Sequence, residues 1–327
     1  MIKLPACAYL LLLLLTLDSC IKKELPVPVH QSGDVTGATV SMDPTYKYQV
    51  YFSLKNNAEV GRNLKTIWDI GFETGANGYH VVLNTSKSMF ARNTGKTAFT
   101  SVSYNDTAGF AANKKWDACN GEMDSTAIGD WRSDTNVYII DRGFNELGQQ
   151  QGMEKLQLLS VSSDSYTLRF AALDGTGDTT VTITKDTTYN LAFLSFSTRM
   201  QLLVEPPKNS WDIAFTQYTY VFYDEVPPVP YLVTGCLLNR YNTMAVRDTN
   251  TGFKDIVFAD LGRYSFAYDL STIGYDWKTY NGSGYTINTG YNYIIHASEG
   301  VYYKLHFIGF YNNSGLKGNP AWEYQQL

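Results

Sequence analysis

"TIWDIGF" at residues 66–72 is answered by "NSWDIAF" at residues 209–215. The Trp-to-Trp offset is 211 − 68 = 143 residues. Three further pairs follow in the same order. "YFSL" (51–54) matches "FLSF" (193–196), "VYIID" (137–141) matches "NYIIH" (292–296), and "EKLQLLSV" (154–161) matches "YKLHFIGF" (303–310). Chance can produce one such pair. Four in order, at an offset that drifts by only a few residues, mark an internal repeat. The chain therefore reads as two tandem copies of one domain, 41–180 and 181–327. They meet near "DGTGDTT" (174–180), where Gly and Asp favour a turn.

The copies read as all-β and antiparallel. Apolar and polar residues alternate in runs such as Tyr46–Phe52, Asn136–Ile140, Tyr166–Phe170, Thr180–Thr184, Tyr218–Tyr223 and Tyr302–Phe307. Gly, Asn and Asp clusters separate these runs, as hairpins and turns require. Weak helical character is confined to Asn145–Glu154. Along the W-D-I strand, alternation places Trp68, Ile70 and Phe72 on one face and Asp69 on the other. Trp211, Ile213 and Phe215 repeat that pattern. Trp68 and Trp211 are expected to be structural anchors. Each Asp is expected to cap a turn or to bond a neighbouring strand.

The first residues read as an address. Leu10–Leu15 is an apolar run after Lys3 that ends at Asp18, too short for the ~20 apolar residues of a membrane-spanning helix. This is the layout of a secretory signal. Leu17-Asp18-Ser19-Cys20 is similar to the bacterial lipobox, in which the cysteine takes the lipid. Residues 1–19 are thus expected to be signal peptide and Cys20 the anchor, holding the protein to a membrane it does not cross. Residues 20–40, with Pro26 and Pro28, read as a tether.

Composition narrows the function. The 327 residues carry a net charge of −5, unlike the basic surface of a nucleic-acid binder. Tyr is abundant at 25 residues, and aromatic residues suit strands and interfaces. Of the 4 cysteines, only Cys119 and Cys236 lie outside the signal and anchor, so a disulfide between them is open. "TGKT" (94–97) is not a phosphate loop, because Phe90 stands where its first Gly belongs. There is no G-x-S-x-G, HExxH or CxxC, and the turn acids do not fit a calcium loop. No catalytic or metal site is expected. His80 and His306 read as strand histidines, and His296 enters a turn.

The W-D-I strand, "GYHVVLN" after it, the lipobox and the closing "KLHFIGFYNNSGLKGNPAWEYQQL" together resemble the HmuY-like family of Bacteroidota surface lipoproteins. The resemblance implies a mostly β domain, here duplicated, and an outer-membrane lipid anchor at the cell surface. It also implies haem capture for a TonB-dependent receptor, with no catalysis. In the family's founding member the haem iron is gripped by two His from loops in the domain's later half. The matching stretches here, "GFKDIVFADLGRYSFAYDL" and "DWKTYNGSGYTI", hold neither His nor Met. Tyr280 stands at the second ligand loop, and tyrosinate is a haem ligand. Met123 lies in the matching region of the first copy, and Met89 and Met244 follow the W-D-I strands. These four are the haem-ligand candidates. The alternative is a non-catalytic docking lipoprotein that keeps the fold and binds another ligand or a protein.

Overall fold

The computed structural model describes residues 30–327. The expected anchor Cys20 and the expected signal peptide, residues 1–19, lie outside the described residues. β-Branched and aromatic residues between Gly- and Asn-rich turns form short strands. In the first half these are β1 (Thr36–Thr39), β2 (Tyr48–Ser53), β3 (Ala58–Leu64), β4 (Ile70–Glu73), β5 (Val81–Leu83), β6 (Phe90–Asn93), β7 (Val137–Asp141), β8 (Met153–Val161), β9 (Ser165–Ala172) and β10 (Thr179–Thr184). The second half has β11 (Leu191–Ser195), β12 (Met200–Leu202), β13 (Ile213–Phe222), β14 (Val229–Leu238), β15 (Met244–Asp248), β16 (Lys278–Tyr280), β17 (Tyr285–Ile287), β18 (Asn292–His296), β19 (Tyr302–Tyr311) and β20 (Lys317–Gln326). Asn145–Glu154, expected to lean helical, is a turn leading into β8. The helical turns fall instead mainly in the long connections after β6 and β15.

All strand pairs are antiparallel and build four main sheets. Two are outer sheets, ordered β1-β20-β19-β18-β15 and β10-β9-β8-β7-β6. Two are inner sheets, ordered β14-β13-β2-β3 and β5-β4-β11-β12. Each inner sheet packs one face on an outer sheet. Phe52, Ile213 and Phe215 meet Leu305, Phe307 and Trp322 in one core. Ile70, Phe72 and Leu194 meet Leu156, Leu168 and Phe170 in the other.

The halves of the chain are interleaved. β2 pairs with β13, β4 with β11, and β1 with β20, so sheets are shared across residue 180. Residues 32–327 make one compact unit. Two separately folded tandem domains are therefore not what the strand pairing gives. The matched segments nevertheless occupy corresponding places. Ile70 lies opposite Leu194, and Ile213 opposite Phe52. The Asp69 N–H donates to the Leu194 carbonyl at 2.9 Å, and the Asp212 N–H to that of Phe52 at 2.9 Å.

The alternation expected through W-D-I fails at its first residue. Trp68 and Trp211 precede their strands, in turns, and pack on the opposite face from Ile70 and Ile213. Period-2 alternation holds only where the backbone is extended. Asn84 Nδ2 donates to the Lys65 and Trp68 carbonyls, at 2.8 Å each, which holds the turn. Asn239 Nδ2 does the same to Lys208 (2.6 Å) and Trp211 (2.7 Å).

Candidate functional site

Turning the two tryptophans away from the outer cores puts them between the inner sheets. There a cavity of about 110 Å³ opens. Trp211 meets Tyr51 edge-on at 4.9 Å, and Trp68 meets Phe193 at 4.7 Å. These four rings form most of its aromatic wall. Tyr51 and Phe193 are the first residues of the matched segments "YFSL" and "FLSF", so both halves of the chain supply the wall from corresponding positions.

Four charged residues line the same cavity: Asp117, Glu205, Arg240 and the exposed Glu122. Asp117 accepts N–H bonds from Leu83 (2.7 Å) and Ala127 (2.8 Å). Glu205 is 8% exposed. Its Oε1 accepts from the N–H of Asn190 (2.6 Å) and of Leu191 (2.9 Å). Burial pushes Glu205 up to about 7 and Asp117 up to about 6, against the pull of those N–H donors and of Arg240. Arg240 Nη1 donates to the Gly121 carbonyl at 2.7 Å and approaches Met123 Sδ at 3.1 Å. Gly121 has φ +79°, and a Cβ there would stand 2.9 Å from Leu270 Cβ and 3.1 Å from Arg240 Nη1. Only glycine fits that turn. The wall also includes Gln49 and Tyr218, and Gln49 Oε1, Trp68 Nε1, Trp211 Nε1 and Tyr218 OH have no hydrogen-bond partner.

A second, open groove of about 510 Å³ lies on the outer sheet that holds β19 and β20. His306 stacks on Phe253 at 4.1 Å, with Nε2 3.1 Å from a Glu323 carboxylate oxygen.

The four haem-ligand candidates do not converge. Met123 lines the inter-sheet cavity. Met89 is 1% exposed within the core of β4, β5 and the facing outer sheet. Met244 sits on β15 opposite His296, outside the cavity wall. Tyr280 is 59% exposed, and its hydroxyl donates to the Gly282 carbonyl at 2.9 Å. Cys119 and Cys236 are free thiols, so the possible disulfide is not formed. His80 precedes β5 rather than lying in it, with Nδ1 2.8 Å from Glu73 Oε2. His296 is half-buried and stacks on Tyr302 at 4.3 Å. Among the described residues no group of three or more His, Cys, Asp or Glu forms a metal site, and no helix is long and apolar enough to cross a membrane.

Sequence reasoning missed Asp117, Glu205 and Arg240. They lie in connections or at strand ends, outside the matched segments. Tyr51 and Phe193 were visible in the repeat, but only as strand residues.

Residues 45–190 match the model of the HmuY protein family. No curated protein matches the chain. Among solved structures, apo PinO from Porphyromonas gingivitis aligns at 10% identity over 90% of this chain and 97% of its own, with TM-score 0.34. The apo HmuY analogue of Tannerella forsythia aligns at 8% identity over 91% and 98%, with TM-score 0.31. A Bacteroides vulgatus protein described as HmuY-like and haem-binding aligns at 17% identity over 41% and 82%, with TM-score 0.21.

Proposed function

We propose that this chain is a non-catalytic surface binding protein, lipid-anchored through Cys20, and that its binding seat is the cavity between the inner sheets. Its ligand is much smaller than haem. The observation that carries this is the cavity itself, a partly open space of about 110 Å³ lined by Tyr51, Trp68, Phe193 and Trp211. Sites for drug-sized ligands run to ~300–1,000 Å³, so a haem does not fit. We further read the chain as a duplicated HmuY-like domain whose copies exchanged inner strands. The matched Asn84 and Asn239 clamps support that reading. An outer-membrane location and delivery to a TonB-dependent receptor are the corresponding proposals for place and partner.

Haem capture is the second reading. The open groove beside Phe253 and His306 favours it, being large enough for a flat ring. The test is a haemin titration of residues 21–327 followed by absorbance. The expected result is no saturable Soret shift. A sharp shift saturating at one or two haems, lost in Met123→Ala, Tyr280→Phe or His306→Ala, would install haem as the ligand instead. Metabolic labelling with radioactive palmitate tests the anchor. Label is expected on the wild-type chain and absent from Cys20→Ser.

A further inference from the structure

The cavity holds charges of both signs that do not meet. Glu205 and Arg240 both line it, yet neither is in an ion pair of 4 Å or less, whereas the buried Asp69 is paired with Lys87 and Arg142. Glu205 takes two backbone N–H bonds on Oε1 and has neutral Asn190 as its other hydrogen-bonding neighbour, so no cation partners it. Arg240 uses only Nη1, leaving Nε and Nη2 without partners. A buried charge without a counter-charge is costly, and a closed core would bring the two together. Resting on the cavity as the binding seat, we infer that it takes a small zwitterion of the α-amino-acid type. Its ammonium sits at Glu205 and Asp117, its carboxylate at Arg240, and its carbon substituent against the rings of Trp68 and Trp211.

With Glu122 at the exposed rim, three carboxylates and one guanidinium leave the site two negative charges in excess when all are ionised. A zwitterion brings a counter-charge to each sign. The aromatic wall adds attraction for an ammonium group. Size limits the ligand further. A dry cavity of ~150 Å³ accommodates benzene, so about 110 Å³ suits a molecule of about six non-hydrogen atoms, such as alanine.

The experiment is calorimetry on residues 21–327 with three matched probes: L-alanine, ethylamine (alanine without its carboxylate) and propionate (alanine without its ammonium). Saturable binding is expected for alanine alone. Glu205→Gln keeps an oxygen for the Asn190 and Leu191 N–H groups but removes the charge. It is expected to weaken alanine binding about tenfold or more, as is Arg240→Met. Arg240→Lys should restore part of the loss, and near-UV dichroism checks that each variant is folded. If ethylamine binds as well as alanine and Arg240→Met has no effect, the zwitterion is wrong while the cavity remains the seat. If none of the probes binds, the inference and the cavity reading fall together.

Discussion

Asp69 and Asp212 close corresponding corners of the two inner sheets, but with different partners. Asp69 takes the N–H of Phe196 at 2.7 Å and is paired with Lys87 and Arg142. Asp212 takes the N–H of Leu54 at 2.8 Å and the N–H and hydroxyl of Ser298. Asp69→Ala strands two cations beside a buried gap and is expected to cost about 3–5 kcal/mol. Asp212→Ala strands only neutral donors and should cost about 1–3 kcal/mol. Urea unfolding midpoints rank the two. Glu205 gives a pH signature. Its folded pKa is raised, to about 7 from an ordinary 4.5, so its contribution to stability is full below about pH 4.5 and is lost as pH rises through 7. Asp117, raised to about 6, acts with the same sign over a lower window. The wild-type chain should thus lose up to about 3 kcal/mol from Glu205 between those pH values, and Glu205→Gln should flatten that part of the curve. Unfolding free energies from pH 4 to 8 measure it.

At the scale of elements, the turn before each W-D-I strand carries the site. Asn84 and Asn239 each tie two carbonyls of that turn from the far side, and so aim Trp68 and Trp211 between the sheets. Replacing either by Ala leaves two buried carbonyls without that donor, at about 1–3 kcal/mol. The two variants should be destabilised alike and should both change tryptophan fluorescence, since each frees one indole. An Asn84→Ala variant with an unchanged emission spectrum would show that the clamp does not position the ring. The connection from 117 to 126 is the other element of the site. Asp117 fastens it to β5 through the Leu83 N–H, and the Asn120 carbonyl accepts from the Leu270 N–H at 2.7 Å. Gly121→Ala meets both a strained φ and the Arg240 guanidinium, and it should displace Arg240 while leaving the outer sheets intact.

At the scale of the molecule, interleaving makes the halves interdependent. Each inner sheet takes two strands from each half, so a half alone exposes open strand edges and an uncovered apolar face. Residues 32–180 and 181–327 expressed separately are expected to be unfolded by circular dichroism. Mixed, they should recover the β signal and run as one species on gel filtration. Two halves that each fold alone would overturn the exchanged-strand reading. The four haem-ligand candidates also belong to this scale. They were drawn from sequence positions, and the fold distributes them over a core, a strand, a hairpin and a cavity wall.

By itself the sequence determined the strands and their matched order. Periodicity and turn residues are local, and they act before any long-range contact forms. It also determined which segments correspond, because each "WDI" and "YFSL"-type match sits in a comparable backbone setting. The tertiary structure alone decided which strands pair. Nothing local in "TIWDIGF" says whether its neighbour is β2 from the same half of the chain or β11 from the other half, and hydrogen bonding across the chain settles it for β11. The site followed the same rule. Trp68 left the face that alternation assigns it because Asn84, 16 residues on, holds its carbonyl in a turn. Glu205, Asp117 and Arg240 come from three separate connections, so their place on one cavity wall is a property of packing and has no period to read.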